Sequence, residues 1–140
     1  MTSRHPLHPA LVHFPVACWS LATAADFASL WFGEVAWRWS GGLLTVGCIM
    51  ALAAMLAGLL ELSRVPEGAA LRAAYWHMTA MLAALALFSM RLLLRLDHLQ
   101  PLAPDRVSLW LDAGGFLALA GGGWFGGLLV YRYGVGGSRA

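Results

Sequence analysis

The chain has no lysine and little charge of either sign: all nine basic residues among its 140 are arginines, and charged residues make up only 11%. So few solubilising groups cannot cover a globule of this size, which excludes a surface that faces water throughout. With a net charge of +2 the arginines form no basic stripe, so nucleic acid is discarded as a partner. Cysteine is scarce as well, and Cys18 and Cys48 both fall inside apolar runs, where a small thiol serves as a packing residue. No serine stands with a histidine and an acid in a recognisable triad, which argues against a hydrolase. A cleavable leader is not expected either. The opening is polar and proline-punctuated, and the apolar stretch behind it continues past signal length without a clear cleavage site.

Apolar sequence is what the chain does have, with 60% hydrophobic residues and a mean hydropathy of +0.69. The runs at about 10–32, 43–62, 70–94 and 107–131 are each long enough, at about 1.5 Å per residue, to cross a hydrocarbon core of about 30 Å. Between the first two lie Glu34, Arg38, Trp37 and Trp39, the charge and aromatic mixture of a membrane interface. Proline, glycine and charge separate the second and third runs, and a polar loop separates the third and fourth. The expectation is one all-α domain, an integral membrane four-helix bundle running up-down-up-down with both termini on the same side. Arg4, Arg64, Arg72, Arg132 and Arg139 fall on the terminal side against Arg38, Arg91, Arg95 and Arg106 on the other, so the termini are expected in the cytoplasm by a margin of one residue. Small residues at Gly47, Ala51, Ala54 and Gly58 in span two, and the pairs Gly122 with Gly126 and Gly123 with Gly127 in span four, suit close helix packing.

Placing polar residues by depth brings some of them together. His13 lies roughly 5 Å into span one and His77 roughly 10 Å into span three, both from the terminal side. Spans one and three sit on a diagonal of a square bundle, roughly 11 to 14 Å between axes, so two imidazoles can meet across the core. His5, His8, Glu61, Arg72, Tyr131 and Arg132 collect on the same side. The bland alternative is that His5 and His8, each before a proline, only shape the entry to span one, and that the others anchor an interface. His98, in the polar loop, reads as solvated surface. Asp26 and Arg91, near the far ends of spans one and three, are expected to form a structural ion pair. Pro15 lacks a backbone donor and would leave the Leu11 carbonyl free, kinking the entrance beside His13.

The opening HPLHPALVHFP, the later Asp26 and His77, and the closing GGGWFGGLLVYRYGVG together resemble a bacterial family of uncharacterised four-helix membrane proteins, classed as a domain of unknown function. The resemblance covers essentially the whole chain. Its opening motif is specific, whereas the glycine-rich closing helix alone is a weak signal. It implies the four-span fold and a bacterial inner-membrane setting, and puts emphasis on His8, His13, Asp26, His77 and the segment 126–131. It brings no established activity. Some relatives are joined to Rieske-type iron–sulfur domains, of which this chain has none. Where relatives carry Asp at the end of span two, this sequence has Glu61, which keeps the charge and lengthens the reach.

Three functions remain open. One is a b-type haem or related redox site with His13 and His77 as axial ligands, Arg72, Arg132 or Tyr131 near the propionates, and quinol or a redox protein as partner. Another is divalent transition-metal binding or transport by His5, His8, His13, His77 and Glu61. The third is an assembly subunit without chemistry, forming homo- or hetero-oligomers through the glycine-rich fourth helix.

Overall fold

Runs of Ala, Leu and Gly fold as helices in an apolar solvent, because only the helix satisfies every backbone group within its own segment. The computed structural model describes residues 7–98 and 100–135. It contains α1 (Leu7–Leu11), α2 (His13–Phe32), α3 (Glu34–Trp37), α4 (Ser40–Leu62), α5 (Ala69–Leu94) and α6 (Arg106–Gly127), the last continued by a π-helical turn over Leu128–Arg132. Four helical stretches, Leu7–Phe32, Glu34–Leu62, Ala69–Leu94 and Arg106–Arg132, are long and apolar enough to span a membrane. Their outward faces carry large apolar side chains such as Trp31, Leu60, Trp110 and Leu117, the inverse of a water-soluble surface.

Local chemistry sets the boundaries. Pro15 has no N–H to give the Leu11 carbonyl, and α1 gives way to α2 at Val12. Gly33 at φ 61° and Gly68 at φ 92° hold the left-handed turns that end α2 and precede α5. Asp105 caps α6, its carboxylate accepting from the Ser108 backbone N–H at 2.8 Å and from the Ser108 hydroxyl at 2.8 Å. Between α5 and α6 a two-stranded ribbon, β1 (Leu96–Asp97) and β2 (Gln100–Pro101), pairs antiparallel.

The most extensive packing is α5 on α6, followed by α2 on α4, and thinner seams join α4 to α5 and α2 to α6. The bundle is thus two tight hairpins set side by side, with α2 and α5 on a diagonal. The hairpins follow one positional plan. His8, Pro15, Trp19 and Ala22 of the first are matched 69 positions on by His77, Ala84, Phe88 and Arg91. Ser40, Leu44, Gly47, Ala51 and Ala54 are matched 68 positions on by Ser108, Asp112, Gly115, Leu119 and Gly122. Apart from the two histidines, which are half-buried, every residue in both sets is buried.

At the centre, Trp19 and Phe88, a matched pair, stack with ring centroids 4.9 Å apart. Ala22, Leu44, Ala51, Ala84 and Leu119 complete this apolar layer. Glycine makes room for both rings: a Cβ on Gly47 would lie 2.6 Å from Trp19, and one on Gly115 would lie 2.9 Å from Phe88. The layer divides the interior into two ends.

Candidate functional site

One end gathers the beginnings of the first and third long helices and the ends of the second and fourth around a cavity of about 130 Å³. Its polar lining is His8, His77 and Glu61, and its apolar lining includes Met55, Met78 and Met81. The imidazoles of His8 and His77 meet edge to face, with centroids 6.0 Å apart and planes at 89°. His8 Nδ1 lies 2.7 Å from the Ala54 carbonyl oxygen, and His77 Nδ1 lies 2.8 Å from the Gly122 carbonyl oxygen. A carbonyl only accepts, so each Nδ1 carries the proton and donates it. In the neutral ring this leaves Nε2 with a free lone pair.

Each of these carbonyls belongs to a helix whose residue four positions on is glycine, Gly58 in one case and Gly126 in the other. A Cβ on Gly58 would lie 3.0 Å from His8 Nδ1, and a Cβ on Gly126 would lie 3.2 Å from His77 Nδ1. The missing side chains therefore let an imidazole reach a helix carbonyl already engaged within its own helix. His8 and His77 are held by the same device in the two hairpins. In addition, the His8 backbone N–H approaches Glu61 Oε1 at 3.5 Å.

Other candidate residues lie elsewhere. His13 is exposed on the outer face of α2 and takes no part in the cavity lining. The residue opposite His77 is His8, five positions earlier. Depth along an axis does not give the angle around it: His8 shares the helical phase of the buried Pro15, Trp19 and Ala22, and His13 lies off that phase. His5 lies outside the described residues. Arg72 is exposed, and Tyr131 and Arg132 line a separate outer groove with Trp124, so no cation borders the cavity among the described residues. His98, at φ 46°, stands in solvent 3.6 Å from Asp97. Of the paired glycines, Gly122 and Gly126 face inward against Met81 and His77. Gly123 faces outward, where a Cβ would meet nothing within 4 Å, and a Cβ on Gly127 would meet only Tyr131, at 3.9 Å. The internal match at 69 positions is the sequence signal that singles out His8, since the position matching His13 is Leu82.

At the opposite end lie the buried polar residues Asp26, Ser40 and Arg91 and, from α6, Asp112 and the capping-turn Ser108. Arg91 donates to Asp26 Oδ2 through Nε at 2.9 Å and also through Nη2. Ser40 Oγ accepts from Arg91 Nη2 at 3.5 Å, and Asp112 Oδ2 lies 3.6 Å from Arg91 Nε. Asp112 is the member that counting charges along the spans missed. A charge inside an apolar run is itself the signal that marks it.

Among the described residues, no group of three or more His, Cys, Asp or Glu side chains has the geometry of a metal site. A family model described as a predicted membrane protein (DUF2231) matches residues 4–139. No curated protein and no solved structure matches the chain. The match spans nearly the whole sequence, and the chain belongs to that family.

Proposed function

We propose that this member of the DUF2231 family is an electron-transfer component of the bacterial inner membrane, with His8 and His77 as the two nitrogen ligands of a transition-metal centre. In this reading the four helices run up-down-up-down, with both termini and the histidine mouth on one side, the cytoplasmic side by the arginine count. The observation that carries it is the pair of Nδ1–H bonds to the Ala54 and Gly122 carbonyls, which holds both imidazoles at one cavity and leaves Nε2 of each as the nitrogen that could bind an ion. Metal-ligating histidines are held in this way, by a carbonyl on the other ring nitrogen, which fixes the tautomer and raises the basicity of the ligand.

Spacing supports the pairing. The two rings lie with centroids 6.0 Å apart, which brings both imidazoles to the same cavity, where His8 and His77 would together hold one ion. The cavity of about 130 Å³ compares with the roughly 150 Å³ that holds a benzene ring. It accommodates an ion with its ligands, and a haem plane enters only where the thin seams between the hairpins widen. His8 and His77 would hold the iron of a b-type haem through their imidazoles, and the haem would supply one-electron transfer. On a bare ion the Met55, Met78 and Met81 thioethers of the lining would join them. In this reading the Glu61 carboxylate, beside His8, would be the base that takes a proton from a quinol at the mouth.

The test is an absorption spectrum and elemental analysis of the purified protein and three variants. One transition metal per chain is expected, lost in His8→Ala and in His77→Ala and kept in His13→Ala. A Soret band identifies haem, and metal without that band identifies a bare ion. Wild-type protein that holds no metal after loading with haem, copper or iron sinks the proposal.

A second reading rests on a separate observation, the outward-facing Gly123 and Gly127 beside Trp124. As an assembly subunit the protein would pack this face of α6 on another membrane helix. Replacing Gly123 and Gly127 by leucine would then change its oligomeric state or its partners while leaving any metal content as it was.

A further inference from the structure

The buried cluster at the end away from the histidines carries more negative charge than it neutralises. Asp26, Arg91 and Asp112 are at most 2% exposed, and two carboxylates around one guanidinium leave a net charge of −1 in an apolar interior. The hydrogen bonds are divided unequally. Asp26 Oδ2 accepts both of the Arg91 donors assigned to a carboxylate. Asp112 has no hydrogen-bond partner on either oxygen, its nearest cation being Arg91 Nε at 3.6 Å, and Asp26 Oδ1 is likewise buried without a partner. An unpaired charge in such a place costs several kcal/mol.

We propose that this cluster is an exchangeable proton-binding site, holding one proton on Asp112 and donating it toward Asp26 Oδ1. One proton removes the surplus charge. It also turns Asp112 from an acceptor without a donor into a donor, and it supplies the partner that Asp26 Oδ1 lacks. On release the Asp112 O–H bond breaks, its electron pair stays on the carboxylate, and water takes the proton. The ionisable and polar groups that face the site are Asp26 from α2, Ser40 from α4, Arg91 from α5 and Asp112 from α6.

The matching hairpin positions argue that packing alone does not require the charges. Arg91 stands where the first hairpin has Ala22, and Asp112 stands where it has Leu44, and both of those apolar residues are buried in the same bundle. A plan that accepts alanine and leucine in one copy holds an ion pair with an extra carboxyl in the other.

Infrared spectroscopy of the full-length protein in liposomes tests the idea. At neutral pH the wild type should show the carbonyl stretch of one protonated carboxyl, shifted by H/D exchange and lost on titration to alkaline pH. Asp112→Asn keeps the shape and a donor toward Asp26, so it should fold and lack the band. Asp26→Asn leaves Arg91 with Asp112 alone, which ionises, and the band should vanish there too. Asp105→Asn, outside the cluster, should keep it. A wild-type spectrum without the band, or a band that survives in Asp112→Asn, overturns the proposal. If the band is absent and sodium instead raises the melting temperature of the wild type but not of Asp112→Asn, a metal cation fills the charge gap and the proton site is wrong.

Discussion

The two ends of this bundle are built from the same backbone plan and differ in what occupies it. At the mouth the hairpins contribute like for like: His8 against His77, each bonded to a helix carbonyl made reachable by glycine, around an open cavity. At the far end the matched positions diverge, with Ala22 and Leu44 in one hairpin and Arg91 and Asp112 in the other, and the result is closed. The symmetric end places two equivalent imidazoles at the wall of a cavity. The asymmetric end engages its cation within the protein and leaves carboxylate oxygens over. Between them the stacked Trp19 and Phe88 keep the two chemistries apart.

The comparison breaks most severely at Arg91. Removing the guanidinium in Arg91→Leu leaves the Asp26 carboxylate buried without a counter-charge, and should cost about 3–5 kcal/mol, read as a lowered melting temperature in detergent. Changing Asp26, Arg91 and Asp112 together to leucine should recover most of that loss, because an apolar cluster suits this interior as well as the ion pair does. A triple variant no more stable than Arg91→Leu would show that the charged end, unlike its apolar counterpart, is needed for folding.

Next in size is the layer that separates the ends. In Gly47→Ala the new methyl meets Trp19 at 2.6 Å, and in Gly115→Ala it meets Phe88 at 2.9 Å. Both rings are fully buried and stacked on one another, so neither turns aside cheaply. A destabilisation of about 1–3 kcal/mol is expected at each position, larger at Gly47. Gly121→Ala, where a Cβ meets nothing within 4 Å, should be neutral or slightly stabilising through helix propensity. Equal melting temperatures for all three variants would refute the packing account.

The four helices were legible in the sequence because apolar runs of about 20 residues have no other stable form in a bilayer. The content of the mouth was legible only in part. Counting residues gave the depth of His13 and His77, but the inward face of a helix depends on its rotation, and the residue in phase with the buried Pro15, Trp19 and Ala22 is His8. Arg72, Tyr131 and Arg132 reach the right end and the wrong face for the same reason. Asp112 sits amid an apolar run with no partner near it in sequence, and its partners come from α5 and α2, which no local pattern reveals. The repeat at 68 to 69 positions was present in the sequence throughout, but only the burial pattern makes two such divergent copies recognisable.

Symmetry at the mouth predicts a balanced result. His8→Ala and His77→Ala each remove one hydrogen bond to a carbonyl, worth about 1 kcal/mol, and their melting temperatures should fall by similar amounts. His13→Ala should leave the melting temperature unchanged, since its side chain is exposed outside the cavity. A cost at one of His8 and His77 several times that at the other would mean that the two hairpins do not share the mouth equally.

The smallest effect belongs to the connection that lets the second hairpin depart from the first. Asp105 caps α6 where the chain leaves the ribbon, and the Ser108 backbone N–H, then the Ser108 hydroxyl, hold its carboxyl below the ordinary carboxylate range, with Arg95 adding a weaker pull. A carboxyl lowered in the folded state contributes stability that is present above its unfolded value and is lost as pH falls through the folded value. The group is about half exposed, so water and salt screen its ion pair with Arg95, and the cap should be worth about 0.5 kcal/mol. Asp105→Asn retains a capping oxygen that does not titrate. The melting temperature of the wild type should therefore exceed that of Asp105→Asn slightly at neutral pH, with the gap closing as the pH is taken below about 4. A gap that stays constant down to about pH 3, below the ordinary carboxylate value, would place the stabilisation in packing at the ribbon instead of in the charge on the cap.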